Sequence, residues 1–273
     1  MSVLKRNNVN VIGQGSRTLV LGHGFGCDQA MWSALVPAFA ADHRLVLFDY
    51  VGCGRSDHAE FDARRYGSLQ GHVQDVLEMA QALELRDAVF VGHSVSAMIG
   101  MLAAQREPQR FSHLAMVGPS PRYINDPDSG YFGGFDPADV EGLLELMDSN
   151  YTAWAGSLAQ AVAGLHGSAQ LKDDLQERFC AMHPEAARLF AHVTFHADNR
   201  ADLGAVRQPT LILQCRDDVI APDAVGEYVH RHIPGSTLVR LQATGHCPHV
   251  SHPEETIDAL RSWLQQHVLP DAG

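Results

Sequence analysis

Short apolar segments alternate with longer amphipathic ones along most of the chain. The short segments are nearly all apolar and bounded by glycine, proline or a charged residue, which is typical of strands buried on both faces. The longer segments repeat apolar residues at three- and four-residue spacing, which is typical of helices. This alternation predicts a mostly parallel sheet with helices on both faces, an α/β fold. Strands are predicted at residues 18–21, 45–48, 88–91, 114–117, 210–213 and 237–241, and helices at 69–83, 97–105 and 254–266.

The alternation stops between Pro119 and about Arg200, where no strand-like segment occurs. Four helical segments follow one another there, more than one crossover between strands requires. We therefore expect a core domain formed by residues 1–120 and 201–273 and a helical cap inserted at residues 121–200; the alternative is that the four helices pack on the sheet as ordinary crossovers. The cap helices are predicted at residues 140–147, 153–162, 171–180 and 185–193.

The N-terminal segment and the cysteines bear on the compartment. Residues 3–12 are polar and rich in asparagine, which predicts an edge hairpin rather than a central strand. No apolar stretch of signal-peptide length occurs at the N-terminus, and no segment is long and apolar enough to span a membrane. Five scattered cysteines without a Cys-x-x-Cys pair favour free thiols in a reducing compartment. These features predict a cytoplasmic protein.

Composition excludes several partners. The 273 residues are 45% apolar and 19% charged, as in an ordinary globular protein, and the formal net charge is −12. A chain this acidic has no general attraction for nucleic acid or for an anionic membrane surface. We therefore expect no nucleic-acid or membrane partner.

The segment Gly92-His93-Ser94-Val95-Ser96 follows a predicted strand and precedes a predicted helix. This is the position of a nucleophile elbow, a tight turn that exposes one hydroxyl at the end of a strand. Ser94 is the predicted nucleophile, and Ser96 occupies the place of the second glycine in the Gly-x-Ser-x-Gly pattern. Ser96 itself is a poor candidate nucleophile, because Ser94 and Met98 stand where its own elbow would need small residues.

Upstream of the elbow, the loop His23-Gly24-Phe25-Gly26 follows another predicted strand. Such a loop brings a backbone N–H, that of Phe25, close to a reacting carbonyl oxygen. The N–H of Val95 would complete the oxyanion hole. The alternatives are an ordinary glycine-rich turn and a nucleotide-binding loop, for which the required glycine and lysine pattern is absent.

An acid and a base follow downstream in the order typical of α/β-hydrolases. Asp217 and Asp218 come after one predicted strand, and His246 comes after the next. A carboxylate there can orient an imidazole, and the imidazole can take a proton from a serine. The residues alone leave both aspartates open as the acid. His246, His249 and His252 do not resemble a zinc site, because Pro248 and Pro253 interrupt any helix that would align them. We expect no metal and no cofactor, and we expect Asp49 and Asp57 to serve as loop hydrogen-bond acceptors.

At the level of motifs, the chain resembles the RsbQ-like α/β-hydrolases. The resemblance extends over nearly the whole chain. The RsbQ-like group is itself related to the plant karrikin and strigolactone receptor hydrolases. The segments that carry it are residues 47–57, 91–95, 116–121, 178–180, 213–215 and 245–249.

This resemblance implies an α/β-hydrolase fold with a four-helix cap over an apolar pocket. It implies that Asp218 rather than Asp217 is the triad acid. It also places four aromatic side chains in the pocket beside the triad: Phe25, Tyr123, Trp154 and Phe195.

Two functions follow as hypotheses. The first is a serine hydrolase of a small apolar ester or lactone, with Ser94, His246 and Asp218 as the triad. The second is a ligand sensor that signals to a protein partner, as the bacterial energy-stress regulators of this group do through a PAS-domain phosphatase. The two are compatible if hydrolysis is part of sensing. A plain metabolic esterase or a C–C bond hydrolase is the alternative.

Overall fold

A seven-stranded sheet forms the centre of the fold. The structure is a computed structural model, and it describes residues 2–267. The strand order is β1-β3-β2-β4-β5-β6-β7, and every neighbouring pair is parallel except β1 with β3. The predicted α/β fold is confirmed. The strands are β1 (Asn10–Ile12), β2 (Arg17–Gly22), β3 (His43–Leu47), β4 (Ala88–His93), β5 (Phe111–Val117), β6 (Thr210–Arg216) and β7 (Thr237–Thr244).

Helices connect the parallel strands and cover both faces of the sheet. They are α1 (Val3–Arg6), α2 (Val36–Phe39), α3 (Ala63–Tyr66), α4 (Leu69–Ala82), α5 (Val95–Arg106), α6 (Pro137–Ser149), α7 (Tyr151–Ala163), α8 (Ala169–Ala181), α9 (Pro184–Phe195), α10 (Asp223–His232), α11 (Pro248–Ser251) and α12 (Pro253–His267). Short 3-10 helices lie at Gln29–Trp32, His58–Glu60 and Arg200–Ala205. No helix among the described residues has both the length and the apolar character needed to cross a bilayer.

Alternate residues of each central strand enter two separate apolar cores, one on each face. In β2, Val20 packs into the core with α4 and α5, whereas Leu19 and Leu21 pack into the core with α12. A strand with both faces buried must be apolar at every position. This explains why the predicted strands read as continuous apolar segments.

The four predicted cap helices are observed as α6–α9, between β5 and β6. Local sequence fixes where they begin. Asp136 and Asp139 form a reciprocal capping box at the start of α6, and Ser168 accepts the backbone N–H of Leu171 at the start of α8. Pro184 occupies the first turn of α9. The apolar faces of these four helices join the core that α4 and α5 share, so the predicted cap and the predicted core domain have one continuous apolar core. The boundaries 121 and 200 stay predictions.

The prediction for the N-terminal segment was half wrong. β1 lies at the sheet edge as expected, but it pairs antiparallel with β3 and is not part of a hairpin, because residues 3–6 form α1. Polar contacts hold this segment. The buried Asn7 amide donates to the Asp49 carbonyl at 3.1 Å and to the Asp75 carboxylate at 3.2 Å. A hydrophobic pattern cannot reveal anchoring of this kind.

Candidate active site

Ser94 stands at a sharp turn between β4 and α5. Its backbone has φ 58° and ψ −125°, a conformation that non-glycine residues rarely adopt and that marks functional sites. Gly92 makes the turn possible, because a Cβ atom there would lie 2.5 Å from the Ser96 carbonyl oxygen. The geometry is that of the predicted elbow. The Ser94 side chain therefore projects at the carboxyl end of the sheet.

Ser96, at the second glycine position of the motif, is fully buried beneath the elbow. Its hydroxyl donates to the His23 carbonyl and lies 2.7 Å from the Tyr50 hydroxyl. Space for it exists because β2 ends in Gly22, where a Cβ atom would lie 3.2 Å from the Ser96 Cβ. Ser96 thus ties the elbow helix to the two strands beside it.

His246 follows β7, and its ring faces Ser94. Nε2 lies 2.8 Å from the Ser94 Oγ, and Nδ1 lies 2.7 Å from the Asp218 Oδ2. Both backbone groups of His246 are also held: its N–H donates to the Val162 carbonyl of α7 at 2.8 Å, and its carbonyl accepts from the His93 Nε2 at 2.8 Å. The ring is therefore fixed from its side chain and from its backbone.

Asp218 lies in the loop after β6, with 4% of its surface exposed. Its Oδ1 accepts the backbone N–H groups of Ile220 at 2.8 Å and Ala221 at 3.0 Å, which leaves Oδ2 for His246. The neighbouring Asp217 has φ 54° and a side chain that is 65% exposed. Of the two aspartates, the structure brings only Asp218 to His246.

These contacts define a direction for proton transfer. An ionised carboxylate can only accept hydrogen bonds, so Nδ1 of His246 carries the proton that faces Asp218. Nε2 then presents its lone pair to the Ser94 hydroxyl. An arrangement of this kind can remove the proton from a serine as the serine attacks an electrophilic carbon.

The predicted oxyanion-hole residues flank the elbow. Val95 is the first residue of α5, so its N–H has no carbonyl partner within that helix. The loop that carries Phe25 lies close against the elbow, because Gly24 touches the His93 ring: a Cβ atom there would lie 2.6 Å from Nδ1. Both backbone segments therefore adjoin Ser94.

A small cavity of about 30 Å³ lies between the elbow and the cap, with room for two or three water molecules. Three of the residues predicted for a substrate pocket, Phe25, Tyr123 and Phe195, line this cavity, and the Tyr123 hydroxyl lies 3.2 Å from the Ser94 Oγ. Trp154 is not among the lining residues; it packs one layer further out, 6.1 Å from the Phe25 ring. The remaining lining residues are Cys27, His93, Ser94, Leu158, Val162, Phe179, Thr194, Ile220 and His246.

Burial keeps two polar groups of this cavity, Tyr123 and His93, neutral. Desolvation raises the pKa of Tyr123 to about 12, so its hydroxyl remains a donor across the physiological range. Desolvation, together with the neighbouring His249 and His246, lowers the pKa of His93 well below its usual value. A neutral His93 that donates from Nε2 suits its contact with the His246 carbonyl.

Several lining residues could not be assigned to the site from the sequence, among them His93 and Thr194. His93 is the middle residue of the elbow motif, and nothing in its spacing indicates that its ring would support His246 from behind. Thr194 precedes the predicted Phe195, but only the helix register of α9 turns both toward the cavity.

The other histidines that invited a metal hypothesis point in different directions. His249 is buried and lies against the Trp32 ring at 4.4 Å, and His252 precedes α12. Asp49 and Asp57 accept loop hydrogen bonds, as expected: Asp49 from the backbone of Gln29, and Asp57 from that of Ala59.

Residues 19–259 match the model of the alpha/beta hydrolase family. The chain belongs to this family, as the elbow, the strand order and the helical insertion indicate. The resemblance predicted from the motifs is confirmed, including that to karrikin and strigolactone receptor hydrolases.

Two curated relatives match almost end to end. The chain is 38% identical over 264 residues to strigolactone esterase D14 of Arabidopsis thaliana, covering 96% of this chain and 98% of that one. It is 38% identical over 267 residues to the karrikin insensitive 2 receptor CA of Petunia hybrida, covering 97% and 98%. Among solved structures, a hydrolase from Oleispira antarctica superposes with a TM-score of 0.94 at 41% identity, covering 96% of each chain. Together these comparisons support hydrolase activity as the general class of function.

Proposed function

We propose that the protein is a serine hydrolase of small apolar esters or lactones that serves as a ligand sensor. The observation that carries the hydrolase half is the continuous hydrogen-bonded chain from Asp218 through His246 to Ser94, with contacts of 2.7 and 2.8 Å. We assign these three residues as the acid, base and nucleophile of a catalytic triad.

In this mechanism Ser94 Oγ attacks the carbonyl carbon while its proton moves to His246 Nε2. The N–H groups of Phe25 and Val95 stabilise the oxyanion that forms. His246 then gives the proton to the leaving alkoxide, which departs and leaves an acyl-enzyme. Water attacks the acyl group, its proton passing to His246, and the acid leaves as Ser94 is reprotonated. Each step uses residues of the chain and water alone.

The lining of the cavity supports a short, apolar substrate. Phe25, Leu158, Val162, Phe179 and Phe195 offer apolar surface and few hydrogen bonds, which disfavours a sugar or a peptide. The small volume favours a short acyl group, because a longer one requires the cap to move. Cap movement or acyl-enzyme release would then limit turnover.

The sensor half of the proposal has separate support. One relative is named an esterase and another a receptor, and the chain matches both over nearly its full length. A ligand that holds the cap closed would change the surface that a partner meets, since a ligand shifts an equilibrium only through different contacts with the two states. We infer that a signalling protein reads this surface; a PAS-domain phosphatase is the class that the motif resemblance names.

Two measurements test this function. A fluorophosphonate probe should label Ser94, as shown by peptide mapping, and Ser94→Ala should abolish turnover of aryl esters while the thermal midpoint stays within a few degrees. An adduct on Ser96, or none, would contradict the hydrolase assignment. For sensing, we expect slow turnover over an acyl-length series with a maximum at short chains. Rapid hydrolysis of all chain lengths, with no change in cap protection from hydrogen exchange when ligand binds, would leave a plain metabolic esterase.

A further inference from the structure

Thr194 is a hydroxyl-bearing residue in the otherwise apolar lining that helices α7–α9 give the cavity. The residue lies on α9 beside Phe195 and has 2% of its surface exposed. Helices α7–α9 contribute only apolar side chains to the rest of the lining, Leu158, Val162, Phe179 and Phe195, whereas Tyr123, which precedes α6, brings its hydroxyl to Ser94. The catalytic groups lie opposite, on the sheet domain. Thr194 is therefore the polar residue among the lining residues that α7–α9 contribute, away from the catalytic groups.

The Thr194 hydroxyl has no hydrogen-bond partner among residues 2–267. A threonine within a helix commonly donates to the carbonyl four residues earlier, which satisfies the hydroxyl locally. Here that bond is absent, and the oxygen is buried. A buried hydroxyl without a partner is unfavourable, and few such groups persist in native proteins without a reason. At the wall of a ligand cavity, the reason is a partner that the ligand supplies.

Trp154 provides an instructive contrast. Its indole N–H is also buried without a partner in the described chain, but the residue does not line the cavity. Its ring packs against the rings of Phe25 and Phe179, which do line the cavity. Among residues 2–267, Thr194 is the residue with an unpartnered hydroxyl that also lines the cavity; the other unpartnered polar atom of a lining residue is the His93 Nδ1, which belongs to the elbow.

We propose that Thr194 is a specificity-determining residue whose hydroxyl donates a hydrogen bond to an oxygen atom of the ligand. The preferred ligand is then a short ester or lactone with a second oxygen, an ether or keto oxygen, remote from the scissile carbonyl. An ester or lactone without hydroxyl or amino groups offers acceptors only, so the threonine is the donor. This inference rests on the proposed function, since it takes Ser94 as the point where the scissile carbonyl is held.

The test compares 4-nitrophenyl esters in isosteric pairs that differ by an ether oxygen against a methylene: methoxyacetate against butanoate, and 3-methoxypropanoate against pentanoate. In the wild type we expect the ether ester to be favoured about tenfold in kcat/KM in at least one pair, the size of one hydrogen bond. Thr194→Ser keeps the hydroxyl and should keep the preference. Thr194→Val keeps the shape and should lose it, mainly through KM. Thr194→Ala is a second hydroxyl-free variant if valine disturbs the packing.

A preference that is absent in the wild type, or that is unchanged in both hydroxyl-free variants, would overturn this inference and leave the hydrolase assignment intact. Failure to hydrolyse any of the esters would instead contradict the proposed function. In that case, NMR titration of the same ester pairs into Ser94→Ala measures binding alone. A tenfold tighter binding of the ether ester that disappears in Ser94→Ala/Thr194→Val supports the role of Thr194; equal affinities in both proteins overturn it.

Discussion

Asp218→Asn changes one atom of the proposed triad and reverses the direction of its hydrogen bonds. Oδ1 of Asp218 accepts two backbone N–H groups, from Ile220 and Ala221. The asparagine oxygen must keep this position, because an amide nitrogen there would set donor against donor. The new NH₂ group therefore faces His246 Nδ1, which must become an acceptor. The proton of the imidazole then moves to Nε2, where no lone pair remains to accept the proton of Ser94.

The expected loss follows from this tautomer. A triad aspartate replaced by asparagine costs about 10⁴-fold in kcat, or about 5.5 kcal/mol of transition-state stabilisation. KM should change little, because the cavity wall is untouched. The matched control is Asp217→Asn, which removes the same charge one residue away. Its side chain is 65% exposed and 3.8 Å from Arg216, so we expect less than a twofold change in kcat.

Steady-state hydrolysis of a short 4-nitrophenyl ester by both variants provides the assay, with the thermal midpoint as a check of folding. A large loss in Asp217→Asn and a small one in Asp218→Asn would show that the loop register is wrong by one residue. Small losses in both variants would refute the argument that the carboxylate sets the tautomer.

Two further predictions concern stability. Ser96→Ala should lower the free energy of unfolding, measured in urea, by about 1–2 kcal/mol, because it leaves the buried Tyr50 hydroxyl without its partner. Ser96→Gly should cost about 1 kcal/mol more, because glycine is unfavourable in a helix. Equal or greater stability in both variants would contradict this. Burial lowers the pKa of His72 to about 3, so its contribution to stability is full above pH 6.5 and falls as the pH drops toward 3, by about 1.4 kcal/mol per pH unit. His72→Leu should reduce the slope of the free energy of unfolding against pH between pH 6 and 4 by about 1.4 kcal/mol per pH unit, the buried His249 still contributing its own share, whereas the exposed His166→Gln should leave the slope unchanged.

The parts of the fold that the sequence predicted are those set by periodic burial. Strands such as β4 are apolar at every position because helices cover both faces, and the cap helices carry caps and prolines at their starts. The N-terminal helix α1 was not predicted, because Arg6 and Asn7 hold it through hydrogen bonds to Asp75, and such contacts join residues far apart in the chain. A pattern of hydrophobic and polar residues along the sequence does not reveal such long-range contacts.

The candidate site likewise has a part that could be predicted from the sequence and a part that could not. Ser94, Asp218 and His246 each follow a strand, so the parallel sheet brings them to one edge, and their approximate positions could be predicted. The side-chain layer around them depends on how the cap docks. Trp154 lies behind Phe25 rather than beside the cavity, and Thr194 faces inward, because the rotation of α7 and α9 about their axes decides which side chains reach the elbow.

The backbone hydrogen bond from the His246 N–H to the Val162 carbonyl joins the base of the proposed triad to helix α7 of the cap. At the same seam Gly164 and Gly245 touch so closely that a Cβ atom on Gly245 would lie 2.5 Å from the Ala163 carbonyl oxygen. A displacement of this end of the cap would therefore also displace the main chain that positions the His246 imidazole. We therefore expect that a movement of the cap that admits a ligand also disturbs the contact of His246 with Ser94, so that ligand entry and the reactive arrangement of the proposed triad follow one another rather than coexist.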